Sequence, residues 1–135
     1  RSIRRITCPK ASGRLPLMIT ENCLVQNETG CRLDRQGPCV PEDGPCRCGQ
    51  PNVLVDRTGA AFPLLPAYGH RTEIQNSKPL YLADRPEHRR LGLAYARLRF
   101  TTETAEECVS VVQNYLDAAP AAGDFTRGLY ERGVE

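Results

Sequence analysis

Cys23, Cys31, Cys39, Cys46 and Cys48 fall in one stretch that runs on to His70. Thiolates and imidazole are ligands for zinc and for iron, so this is where the chain can do inorganic chemistry. The stretch is built largely from turn residues: Gly30, Gly37, Pro38, Pro41, Gly44, Pro45, Gly49 and Pro51. A core-poor loop of this kind cannot order itself by packing, which leaves disulfides, a zinc ion or an iron-sulfur cluster to hold it.

The spacings are Cys23-x7-Cys31, Cys31-x7-Cys39, Cys39-x6-Cys46 and Cys46-x-Cys48. Common zinc knuckles use two Cys-x2-Cys pairs, and none is present, although zinc is not excluded. A 4Fe-4S cluster takes four ligands that can be scattered over a long loop, with histidine in place of one thiolate. Spacing therefore leaves cluster and zinc open. Seven cysteines in all is an odd count that leaves one thiol unpaired in any disulfide scheme. No nucleophilic triad, HExxH pair, P-loop or dinucleotide fingerprint is visible.

Other classes are bounded by composition. At 135 residues the chain has the size of one domain, and its net charge of +2 makes no case for nucleic acid by itself. The positive charge is almost entirely arginine, 16 residues against Lys10 and Lys78. No apolar run approaches the roughly 18 residues of a membrane span, and no charged-then-apolar leader appears. A soluble, cytoplasmic protein is expected.

The elements that must position the thiols read as follows. Residues 1–14 are basic and form a connector. Leu15-Pro-Leu-Met-Ile-Thr20 is a continuous apolar run, as in a strand buried on both faces, and Glu21, Asn22 and Cys23 follow at its carboxyl end. Val53 to Leu65 predicts a hairpin turning at Asp56 to Gly59, with Pro63 placing its second arm at an edge. Arg71 to Ser77 precedes a short strand over Pro79-Leu-Tyr-Leu-Ala83, with Asn76 read as a turn-forming side chain. Asp84 caps a short helix ending at Gly92. Alternation over Ala94 to Phe100 predicts another strand. The last helix opens with a capping box at Thr104 and Glu107 and closes at Pro120. Ala105, Cys108, Val109, Val112, Leu116 and Ala119 form its expected core stripe. The tail from Asp124 reads as a surface strap.

Six blocks together resemble the C-terminal part of the collagenase-like peptidase family U-thirty-two. They are Leu15 to Cys23, Val55-Asp-Arg-Thr-Gly59 with Phe62-Pro63, Arg71 to Ser77, Pro79 to Asp84, Arg97 to Glu103, and Phe125-Thr-Arg-Gly-Leu-Tyr130. The resemblance covers nearly all of residues 15–134 and implies an α/β fold. The chain would be the later portion of a TIM-like barrel, with a cysteine-rich loop, a β-hairpin and a C-terminal helix. An eight-fold barrel takes about 250 residues, so the implied partner is the missing N-terminal barrel half of the same parent protein. Several members resemble oxygen-independent hydroxylation factors that act on RNA or quinone precursors and hold a 4Fe-4S cluster on four cysteines.

By that resemblance the first two ligands are Cys23 and Cys31, and the third is Cys46 or Cys48. The family's fourth ligand falls just before the Arg-x-x-Ile-x-Asn block, where this sequence has His70 instead. Either His70 ligates, or Cys39 or the spare member of the Cys46/Cys48 pair does, or no cluster forms. Glu21, Asp56, Arg57, Arg71 and Asn76 are then expected to face the substrate, with hairpin-turn chemistry as the other reading of Asp56 and Arg57. The alternatives are a zinc-stabilised binding module without catalysis and a metal-independent peptidase acting on protein.

Overall fold

The computed structural model describes residues 10–29, 50–85, 87 and 95–128. Five strands form one mixed sheet: β1 (Lys10–Thr20), β2 (Asn52–Val55), β3 (Ala61–Ala67), β4 (Arg71–Tyr81) and β5 (Arg97–Leu98), in the order β2-β3-β4-β1-β5. Among the described residues, helices α1 (Leu24–Thr29) and α2 (Ala105–Asp117) complete an α/β arrangement. The chain divides into two compact units, residues 15–77 and residues 1–14 with 78–135.

In the first unit β2 pairs antiparallel with β3, from Asn52 opposite Leu64 to Val55 opposite Ala61. The turn expected at Asp56 to Gly59 is present. The Asp56 N–H donates to the Ala60 carbonyl at 3.1 Å, and Gly59 takes the positive φ of 84° that a side chain would resist. Pro63 does not lie at an edge, because β3 runs between β2 and β4. It is tolerated because the antiparallel ladder to β4 starts one residue later, at Leu64 opposite Ile74. The proline's missing N–H falls outside that ladder. Leu64 and Ile74, with Val25 from α1, are the buried aliphatics of this unit.

Several expectations change here. The connector ends earlier than residue 14, since β1 begins at Lys10. The apolar run in β1 is not buried on both faces: Leu17, Met18 and Ile19 are 54–59% exposed. Arg71 to Ser77 and the first residues of the segment Pro79 to Ala83 form one strand of eleven residues that ends at Tyr81, which puts Asn76 in a strand rather than a turn.

In the second unit β5 is only two residues long and runs parallel to β1, with Arg97 opposite Lys10 and Leu98 opposite Ser12. Gly13 explains how closely the backbones meet. A Cβ there would lie 1.8 Å from the Arg99 carbonyl oxygen, and its φ of +97° is one that glycine alone adopts cheaply. Helix α2 carries the expected capping box. Thr104 Oγ1 accepts from the Glu107 N–H at 3.3 Å, and the Glu107 carboxylate accepts from the Thr104 N–H at 2.8 Å. It ends at Ala118, which takes the left-handed conformation, ahead of Pro120.

The expected core stripe of α2 is wrong about its direction. Val109 and Leu116 are 69% and 70% exposed, and the covered side is that of Cys108, Val111 and Tyr115. Tyr115 decides this, because its hydroxyl is recruited by backbone groups on the sheet side, as described below. Of the short helix expected after Asp84, Glu87 is described and is helical, and the rest lies outside the described residues.

Candidate functional site

The first unit brings some of the expected site residues together at the end of β1. Arg71, at the start of β4, pairs with Glu21 at 2.9 Å. Thr20 Oγ1 accepts from the Thr72 N–H at 3.3 Å and donates to the Asn22 carbonyl at 2.5 Å. The buried Thr72 hydroxyl in turn accepts from the Leu24 N–H at 3.0 Å, fixing the first residue of α1. Cys23 sits between these anchors, 8% exposed, with its thiol unbridged. The ion pair is exposed on both sides and adds little stability. Its value is geometric, since it ties the carboxyl end of β1 to the turn that carries His70.

That turn is Tyr68-Gly69-His70, closing β3 onto β4, with Gly69 at φ 73° and His70 at φ 56°. Histidine is uncommon in this left-handed region, and the conformation holds a half-buried ring directly before Arg71. Cys23, Glu21, His70 and Arg71 thus share one end of the unit. Beyond Thr72, Gln75 is fully buried, its amide donating to Glu73 at 2.5 Å while its Oε1 has no partner among the described residues.

Asp56, Arg57 and Asn76 are not brought to that end. The hairpin turn lies at the start of β3 and the His70 turn at its finish. Asp56 Oδ1 accepts from the Thr58 hydroxyl at 2.6 Å and from the N–H groups of Thr58 and Ala60 at 2.7 and 3.0 Å. The Thr58 hydroxyl, with those N–H groups behind it, holds the Asp56 carboxyl below its ordinary value. This is the bonding of an Asx turn, and it accounts for Asp56 without a substrate. Arg57 is exposed in the same turn, and Asn76 is half-buried within β4.

As to the metal, Cys31, Cys39, Cys46 and Cys48 lie outside the described residues. Among the described residues no group of three His, Cys, Asp or Glu side chains is placed to hold an ion. Cys23 itself has the chemistry of a cluster ligand, a shielded, unbridged thiol three residues beyond the end of β1 and directly before α1.

The second unit holds a network the sequence reading missed. Arg127 donates to both oxygens of Asp84, at 2.6 and 2.7 Å, and to the Tyr81 carbonyl at 2.7 Å. Its guanidinium lies 4.7 Å over the Phe125 ring. The Tyr115 hydroxyl accepts from the Leu82 N–H at 2.8 Å and donates to the Ala11 carbonyl, while the Tyr81 hydroxyl donates to the Ala119 carbonyl at 2.8 Å. Burial pushes the Tyr115 and Tyr81 hydroxyls up from their usual values, so both keep their protons. Thr126 adds a parallel bridge to Leu80. Every one of these contacts is structural. The available signal was a tyrosine on the polar-looking side of α2.

Comparison with protein-family models, with curated proteins and with solved structures found no match for this chain.

Proposed function

We propose that this chain is the C-terminal region of an iron-sulfur enzyme resembling the collagenase-like peptidase family U-thirty-two. In this reading the sheet is the later portion of a TIM-like barrel, and the parallel pairing of β1 with β5 is the barrel's own kind of pairing. The antiparallel β2–β3–β4 segment is an addition to it. A 4Fe-4S cluster sits on Cys23, Cys31 and Cys46 or Cys48, with His70 or a remaining thiol as the fourth ligand. The observation that carries this is the convergence at the end of β1. Chemistry in α/β sheets gathers at the carboxyl ends of strands, and here a buried, unbridged Cys23 meets the His70–Arg71 turn there through the Glu21 and Thr72 ties.

The cluster, when bound, would pass single electrons to RNA, a quinone precursor or a protein. Glu21 and Arg71, paired at the end of β1, would lie beside it. The upstream barrel half of the parent protein supplies the rest of the site, and the chain by itself is expected to be inactive.

The test is anaerobic reconstitution with iron and sulfide, followed by the visible thiolate-to-iron absorption band and iron and sulfide assays. Cys23→Ser should abolish the band, and His70→Ala should weaken it if imidazole ligates. A colourless, iron-free product would end the redox reading. Stoichiometric zinc in that product, with unfolding on chelation, would establish the zinc-stabilised module instead.

A further inference from the structure

β2 ends the sheet on one side, and among the described residues no strand lies beyond it. Edge strands are ordinarily guarded by charge, proline or a bulge. β2 is Asn52-Val-Leu-Val55, without a charged residue, and Val53, Leu54 and Val55 are 45–58% exposed. Successive side chains of a strand point to opposite faces, so this edge is apolar on both.

The backbone groups on the open side follow from the ladder to β3. The Asp56 N–H donates to the Ala60 carbonyl at 3.1 Å, which makes those residues a hydrogen-bonded pair. Bonded and non-bonded pairs alternate along an antiparallel ladder. Leu54 with Phe62 and Asn52 with Leu64 are therefore bonded pairs, whereas Val53 with Pro63 and Val55 with Ala61 are not. Pro63 agrees with this, since it has no N–H to give to Val53. The N–H and C=O groups of Val53 and Val55 thus point away from β3, into the open side.

We propose that two copies of this chain associate through that edge, β2 against β2 in antiparallel register about a two-fold axis at Leu54. Val53 of each copy then exchanges both backbone bonds with Val55 of the other, and every outward group of the two valines is used. Leu54 meets Leu54 of the copy in the closer, non-bonded pair. Asn52 falls opposite Asp56 of the copy, so no like charges face each other, and Pro51 ends the ladder. An unrelated strand would have to match this spacing of neutral side chains and outward groups; a second copy matches it by symmetry, and an isologous contact closes at two. A strand edge this short buries less than the roughly 1,200 Å² of a standard interface, so the dimer is weak and forms as concentration rises. It does not require the cluster.

The test is sedimentation equilibrium of the full chain under reducing conditions, from about 10 µM to about 1 mM. The average mass should rise from monomer towards dimer, with a dissociation constant on the order of 100 µM. Leu54→Lys and Leu54→Glu should each stay monomeric, and mixing the two variants should restore association, because opposite charges then meet across the axis. Val55→Pro removes an outward donor while leaving the bonds to β3, and should weaken association about tenfold. Met18→Lys and Leu116→Lys, on the other exposed apolar surfaces, should associate as the parent does. All these positions are exposed, so circular dichroism should stay unchanged. The proposal is overturned by a monomer throughout the range, by association that survives Leu54→Lys or is lost in Met18→Lys or Leu116→Lys, or by a mixture of the Lys and Glu variants that stays monomeric. A colourless protein that dimerises ends the cluster reading alone, and a cluster-bearing monomer ends this one alone.

Discussion

The two units of the chain are secured in different ways. In residues 78–128 side chains reach far along the sequence to backbone groups: Tyr115 to Ala11 and Leu82, Tyr81 to Ala119, Arg127 to Tyr81 and Asp84. These bonds satisfy strand ends and loops directly, and charge-assisted bidentate contacts are among the strongest a protein makes. In residues 15–77 the fixed points are local turns, one exposed ion pair and the Thr72 hydroxyl, around few buried aliphatics. Val53, Leu54 and Val55 of β2 are exposed, as is the apolar half of β1. The contrast teaches that the second unit is tied by its own long-range polar clamps, whereas the first has only local ties, and under the proposed function the cluster would supply what it lacks.

The largest expected effect tests that dependence. Removing iron from the reconstituted protein should cost slow-exchanging amides in β3 and the first half of β4 at least ~100-fold of their hydrogen-exchange protection, the scale of a tightly bound ligand. Amides of α2 and of Tyr81 should keep theirs. Equal loss in both units would erase the distinction between them.

Next comes the closest backbone approach in the second unit. Gly13→Ala puts a methyl group onto the Arg99 carbonyl and forces an L residue to φ +97°. Overpacking and the left-handed penalty together should cost about 3 kcal/mol, read from urea unfolding followed at the tyrosines. A cost below 1 kcal/mol would show that β5 gives way rather than resisting.

The Asp84–Arg127 clamp should come third. Asp84→Asn removes the charge from a mostly covered pair and should cost about 2 kcal/mol. The Arg127 hydrogen bonds hold the Asp84 carboxyl below its ordinary 3.8. A depressed carboxylate stabilises the fold above the unfolded-state value, and the contribution is lost as pH falls from there through the folded-state value. Wild-type protein should therefore lose stability below about pH 4, and Asp84→Asn should flatten that part of the profile. Identical acid limbs in the two proteins would show that the clamp contributes nothing.

What was legible in the sequence follows the same division. The hairpin and the capping box were readable because their determinants sit within a few residues of each other: Asp56 with Thr58 and Gly59, Thr104 with Glu107. The direction of α2 was not. Val109, Val112 and Leu116 make the better apolar stripe, yet Tyr115 turns the helix by bonding to Ala11, a residue 104 positions away. Likewise the continuity of β4 through Pro79 depends on the bridge from Thr126, whose N–H donates to the Pro79 carbonyl at 2.9 Å. Strand position alone put Glu21 and Cys23 at the end of β1, while Arg71 was grouped with them through the family resemblance and is tied there by its ion pair to Glu21. Asp56 and Arg57 were grouped with them only through the family resemblance, and geometry sets them at the far end of β3.

That separation yields the smallest and most discriminating effect. If Asp56 serves its turn, Asp56→Ala should leave global unfolding nearly unchanged, because the carboxylate is exposed and its partners are local. The Thr58 and Ala60 amides, deprived of their acceptor, should exchange faster, while Asp56→Asn, whose amide oxygen still accepts, should retain much of their protection. Since Thr58 and its neighbours hold the Asp56 carboxyl below 3.8, its stabilising effect on the turn is present above that value and fades as pH falls through the depressed one. Neither substitution should alter the visible band of the reconstituted protein. A changed band would return Asp56 to the neighbourhood of the cluster and undo the assignment of the two ends of β3 to different tasks.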